Sequence, residues 1–166
     1  YWGIEPTIIR WVGSSALDFQ ADAVIVSGLR VLPYLGALPP TMKAVWYAAD
    51  EWVLHHLSQV KLLAPGTWKE CRQAIDKGLY ERAYRKRLDR LWVVSPADAR
   101  AFRWFAGIRK LDVLPNGVDA EHYVPGSEVP IPHSCVFWGR LDFGPNVQAL
   151  GWFLRRVWPV VQAKNP

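Results

Sequence analysis

At 166 residues the chain is long enough for one core of ordinary domain size, and its 51% apolar and 21% charged residues are those of a globular rather than a disordered chain. No run approaches the roughly 18 uninterrupted apolar residues that span a bilayer, which excludes an evident transmembrane helix and predicts a soluble protein. The net charge of +5 is uneven: between Arg72 and Lys110 eleven Lys or Arg stand against four acids. Such a zone suits an anionic membrane surface, nucleic acid, phosphorylated substrates, or merely the solvated faces of helices.

Tyr1 opens the sequence, and no charged stretch leads into an apolar run and a small-residue cleavage site, so no secretion signal is read and an upstream portion is expected to be missing. Cys71 and Cys135 are far apart and lie in regular segments. They suit reduced thiols in a cytoplasm, and neither they nor the histidines show metal-ligand spacing, so no metal or cofactor is expected.

In chain order, Ala23–Ser27 is a short β-branched run between Asp22 and Gly28 and reads as a buried strand. Arg30–Leu38 reads as a short helix ended by Pro39-Pro40, and Ala44–Ala48 as a second strand that ends at Asp50-Glu51. From Trp68 to Leu88, Ile75, Leu79, Ala83, Tyr84 and Leu88 recur at helical spacing while Arg82, Arg85, Lys86 and Asp89 gather elsewhere, which predicts an amphipathic helix with a basic face. Leu91–Ser95 is a third strand. Ser95-Pro96-Ala97-Asp98 then starts a helix, with Ser as cap, Pro in the first turn and an acid at the positive end, running to about Ala106 and stopping at Gly107.

Leu111–Leu114 is a fourth strand, and Pro115-Asn116-Gly117 turns the chain. Short apolar strands alternating with helices predict a parallel sheet covered on both faces by helices. Glu121–His133, with Pro125, Gly126, Pro130 and Pro132, reads as an extended linker. A new unit follows: a strand over Ser134–Trp138, a loop over Gly139–Pro145, and a helix over Asn146–Val157 with Val147, Leu150, Phe153, Leu154 and Val157 on one side. One strand and one helix bury too little apolar surface to offset the entropy of ordering them, so this unit is expected to be incomplete.

Taken in order, the βα sheet, the Pro115–Asp119 turn, the proline-bearing linker and the strand leading into Gly139-Arg140-Leu141-Asp142 resemble the retaining glycosyltransferases of family four. The run Phe137–Leu150, with Trp152-Phe153 and Val157-Trp158-Pro159, is similar to a subgroup whose second domain opens with a G-x-x-D-x-x-P-N loop. Val31–Tyr34, Tyr80–Arg82, Val94-Ser95 and Asp98 fit the same pattern. The resemblance implies an α/β chain of GT-B type, with two Rossmann-like domains that are both incomplete here: 1–118 on the acceptor side, a linker over 119–133, and 134–166 as the first strand-helix unit on the donor side.

It also implies transfer of a sugar from a nucleotide-sugar donor to a glycan or lipid-linked acceptor with retention of anomeric configuration, the fragment being inactive alone. Arg140 then corresponds to the arginine that meets the donor diphosphate. Independently of any family, Arg presents a fixed fork of donors to phosphate oxygens, and a helix start at Asn146 and Val147 offers backbone N–H groups and a positive dipole end. The family's lysine later in this loop is replaced by Pro145. Its downstream glutamate pair and its glycine-rich first loop have no counterpart in this chain.

Asp50 and Glu51 stand at a strand's carboxyl edge, where open α/β sheets bind ligands, and are acceptor-side candidates; alternatively Asp50 caps the next helix and Glu51 is a first-turn acid. His55 and His56, adjacent on a helix, point apart and are packing or surface residues. Asn116 and Asp119 are cleft candidates or ordinary turn residues. Asp142 orients Arg140 or caps its loop. Trp46, Trp92 and Trp138 fall in strands, where burial is the default. The basic face at Arg82, Arg85 and Lys86 suits peripheral contact with an anionic bilayer, hence a location at the inner face of the membrane. Two other classes stand beside the enzyme: a basic nucleic-acid-binding module, suggested by the basic zone with Trp92, Trp104 and Phe105 but lacking any base-reading motif, and a non-catalytic relative, suggested by the missing lysine.

Overall fold

The computed structural model describes residues 5–61, 64–126, 129 and 131–165; Tyr1, Pro130 of the expected linker and Pro166 lie outside the described residues. The chain divides into two compact units, Tyr1–Gly117 and Val118–Pro166.

Unit 1 is α/β. Helix α1 (Pro6–Asp18) precedes strand β1 (Ala23–Ser27), a 3-10 helix (Leu29–Ala37), β2 (Lys43–Ala48), α2 (Trp52–Ser58), α3 (Thr67–Tyr84), β3 (Arg90–Val93), α4 (Pro96–Ala101) with a π turn (Phe102–Ala106), and β4 (Leu111–Val113). The four strands are all parallel, in the order β1-β2-β3-β4. Register pairs Ile25 with Val45, Tyr47 with Trp92 and Leu91 with Leu111.

Successive side chains of a strand point to opposite faces, and here the two faces differ. Val26, Ala44, Trp46, Ala48, Leu91, Val93 and Leu111 are buried on one, against Leu32, Leu35, Phe102 and Ala106. On the other, Ile25 is 59% exposed, and Val45, Tyr47 and Trp92 are only half-buried. The expectation of helices on both faces is thus corrected. Right-handed crossovers between parallel strands laid down in sequence order place every connecting segment on the same side.

Strand starts are pinned by charge. Asp89 Oδ2 accepts the Ala44 N–H at 2.9 Å and its Oδ1 accepts from Lys43 Nζ at 3.3 Å, which holds the Asp89 carboxyl below its ordinary range, the backbone bond being the larger cause. Arg87 forks onto the Met42 and Pro39 carbonyls at 3.2 and 3.1 Å. Ser95 caps α4 as its sequence predicts, accepting the Asp98 N–H at 3.1 Å and donating to Asp98 Oδ2 at 2.6 Å.

Helix α3 turns a different face inward from the one its apolar spacing suggests. Ile75 and Leu79 are 60% and 62% exposed, whereas Ala74, Gly78 and Glu81 are buried. The packed face is the small-residue one: a Cβ on Gly78 would stand in ordinary contact with Val53 at 3.6 Å and Phe105 at 3.9 Å, so α2 and the π turn leave room there for little more than a methyl group.

Unit 2 corrects the expected strand at Ser134–Trp138, which forms no ladder, and Trp138 is 95% exposed. Strand N–H and C=O groups need a neighbouring strand, and none is present among the described residues of this unit. The helix begins earlier and continues further than predicted: α5 (Gly144–Trp152), a π turn (Phe153–Val157) and α6 (Trp158–Lys164). No described residue here is buried.

Candidate functional site

At the carboxyl ends of β1 and β2, unit 1 holds a cavity of about 330 Å³. Its floor and walls include Gly28, Arg30, Trp46, Asp50, Trp52, His56, Gln73 and Lys77. Gly28 turns the chain out of β1 with φ +87°, a conformation that an L side chain resists, while its N–H donates to the Tyr47 carbonyl at 3.1 Å. The 3-10 helix that follows has no side-chain cap at its N-terminus.

Trp46 is 1% exposed, packed edge-on against Phe102 with ring centroids 5.3 Å apart, and its indole N–H has no acceptor among the described residues. His56 is buried, with Nδ1 2.9 Å from Glu70 Oε2, so it serves as a packed, paired residue.

Asp50 is exposed at the cavity rim, while Glu51 is buried. Glu51, not Asp50, caps α2: its Oε2 accepts the Leu54 N–H at 2.5 Å. Burial pushes the Glu51 carboxyl up, partly offset by bonds from the Leu54 and Val53 amides, and Asp98 adds a smaller push. Glu81, fully buried on α3, has neither carboxyl oxygen hydrogen-bonded among the described residues, and burial, then the nearby Glu51, drives it to about 8. Lys77 opposes that shift. Burial thus favours the protonated form of Glu81. Its burial is not evident from apolar spacing, and the one signal for it in the sequence is an acid at i+3 from Gly78 and i+7 from Ala74, inside a small-residue stripe.

Asn116 accepts from the Tyr47 hydroxyl at 3.1 Å, fastening the turn after β4 to β2. Asp119 accepts the Glu121 and His122 amides, both at 3.1 Å, and is spent on a local turn. Thus Asp50 and Glu51 lie together at the strand edge, while Asn116 and Asp119 do turn work in separate units.

In unit 2 the Gly139–Asn146 loop has internal order. Arg140 is clamped by Asp142, with Nε to Oδ1 at 2.9 Å and Nη2 to Oδ2 at 2.6 Å, which raises the guanidinium and lowers the carboxyl in pKa. Asn146 Nδ2 donates to the Arg140 carbonyl at 3.0 Å, closing the loop over its own helix start. The Arg140 side chain remains 80% exposed. Because α5 begins at Gly144, the Val147 N–H is already spent on the Phe143 carbonyl at 3.2 Å. Val147 is thereby removed from the amides that an anion would meet, whereas Gly144 and Asn146 occupy the first turn. Pro145, which has no N–H, sits where the helix tolerates it.

Among the described residues no group of three His, Cys, Asp or Glu is placed to hold a metal ion. No described helix is long and apolar enough to cross a membrane. No family model, curated protein or solved structure matches the chain.

Proposed function

We propose that the chain is part of a retaining glycosyltransferase of GT-B type, in which unit 1 belongs to the acceptor-side Rossmann-like domain and unit 2 opens the donor-side one. The observation that carries the reading is the Gly139–Asn146 loop: an exposed arginine, oriented by Asp142, stands on a loop closed by Asn146 that leads straight into a helix N-terminus. A guanidinium fork beside first-turn amides is chemistry suited to a diphosphate. In sugar transfer its task is to neutralise the leaving diphosphate as charge develops there. Asp142 engages two of the five guanidinium N–H donors, through Nε and Nη2, which fixes the plane of the group and leaves Nη1 to the ligand. The parallel sheet of unit 1 with its cavity at the strand carboxyl edge supports an acceptor site for a glycan or lipid-linked sugar, in a protein working in the cytoplasm.

Arg140→Ala tests the reading. By isothermal titration of a nucleoside diphosphate, we expect affinity to fall about tenfold, near 1.4 kcal/mol. Equal affinity in the two proteins removes Arg140 from the site.

A further inference from the structure

We propose that the apolar groove between α2, α3 and the π turn holds one acyl chain of a phospholipid, with the lipid phosphate on Arg82. The inference stands apart from the transfer reading, because every residue it uses belongs to unit 1.

The groove, of about 460 Å³, follows α3 from Cys71 to Arg82, which is about 16 Å of helix. Between these ends Ala74, Ile75, Gly78 and Leu79 recur in steps that keep them on one side of the helix. Val53 and Leu57 of α2 and Phe105 of the π turn supply the opposing walls. Val53, Ala74 and Gly78 are buried while Leu57, Ile75 and Leu79 are exposed, so a small-residue floor lies beneath a rim of large apolar side chains. Apart from Arg82 and the Cys71 thiol, no lining side chain carries a hydrogen-bonding group. A peptide or a sugar gains no side-chain hydrogen bond along such a groove, whereas a hydrocarbon chain needs none.

Charge selects the head of the ligand. Arg82 stands at the C-terminal end of the groove, exposed, and its guanidinium has no partner among the described residues. The acids of α3 do not reach out to it: Glu70 is paired with His56 at 2.9 Å, Asp76 lies 3.7 Å from Arg72, and Glu81 is fully buried. A guanidinium fork at the end of a hydrocarbon groove matches a phosphate at the end of an acyl chain. Two exposed indoles flank the groove, Trp68 one turn before Cys71 and Trp104 next to Phe105, and indoles settle at the level of lipid headgroups.

The test follows the Ile75 δ1-methyl by NMR in the 166-residue chain with 13C-labelled isoleucine methyls, the resonance being assigned with Ile75→Val. Ile25, exposed on the open sheet face, is the internal control. Lauroyl lysophosphatidylglycerol, dodecyl maltoside and glycerol phosphate are titrated separately, below micelle-forming concentrations. The expected result is a saturable shift of Ile75 with the lysolipid, about tenfold weaker binding of the maltoside, and no shift with glycerol phosphate. Leu79→Asn should weaken binding of both amphiphiles, Arg82→Gln should weaken the lysolipid about tenfold and leave the maltoside unaffected, and Arg10→Gln on α1 should change neither. Leu79, Arg82 and Arg10 are all exposed, so the fold withstands these changes. No shift of Ile75, an equal shift of Ile25, equal affinity for lysolipid and maltoside, or full binding by Leu79→Asn or Arg82→Gln would overturn the proposal. So would an Ile75 shift that follows protein concentration without lipid, which assigns the groove to a second copy of the chain.

Discussion

Glu81 shows how one buried residue couples the stability of unit 1 to pH. Its carboxyl is fully buried and held at about 8 against an ordinary 4.5, so the folded chain binds a proton that the unfolded chain releases. The stability this group contributes is complete below about pH 4.5 and is lost as pH rises towards 8, by on the order of a few kcal/mol across that window. Glu81→Gln keeps the size and abolishes the ionisation. Urea unfolding at a series of pH values should show a marked fall of stability between pH 5 and 8 in the parent and a much flatter profile in the variant. Identical profiles would mean that Glu81 is charged in the native state. Residue by residue, the place of Glu51 after a strand and of Arg140 in a loop was legible, yet their partners were not. That Glu51 rather than Asp50 caps α2, and that Val147 spends its amide inside α5, depends on helix starts shifted by one or two residues, which sequence signals do not resolve.

Among the elements, the strands of unit 1 were readable because short β-branched runs between turn residues have few alternatives. The orientation of α3 was not. Apolar spacing named Ile75 and Leu79 as core, but Gly78 and Ala74 permit a closer approach than larger side chains would, and packing follows closeness rather than hydrophobicity alone. Its outward stripe is consequently Trp68, Ile75 and Leu79 beside Arg72 and Arg82, a combination of apolar and basic groups suited to an anionic bilayer surface. Of the three basic residues expected on that face, Arg82 and Lys86 are exposed, while Arg85 is half-buried with its guanidinium against Gly107. Each nearby basic residue is worth about 1 kcal/mol of attraction. The chain should therefore sediment with phosphatidylglycerol vesicles and not with phosphatidylcholine ones. The pair Ile75→Ser and Leu79→Ser should reduce that binding while changing stability by no more than about 0.5 kcal/mol per site. Equal sedimentation with both lipids would show that the stripe faces something other than a charged bilayer.

At the scale of the whole molecule, two units follow from two different balances. Unit 1 orders a four-stranded sheet because one face buries a continuous core from Val26 to Leu111. Unit 2 has helices without a buried residue among those described, and its strand-like segment Ser134–Trp138 has β-rich composition but no neighbour to bond. Composition specifies what a segment is able to form; a ladder also needs a partner, which no local pattern supplies. The exposed sheet face bearing Ile25 was hidden from the sequence for a similar reason, since strand order, not strand content, decides on which side the helices fall. What the two units share, on the proposed function, is recognition of a phosphorylated donor and its acceptor rather than of nucleic acid. The most direct measurement is a calorimetric titration of the chain with a panel of nucleoside diphosphate sugars, run beside single-stranded oligonucleotides at several salt concentrations. Saturable binding of at least one sugar nucleotide is expected, with Kd in roughly the 1 μM to 1 mM range and abolished or weakened by Arg140→Ala. Binding of oligonucleotides alone, falling steeply with salt, would contradict it.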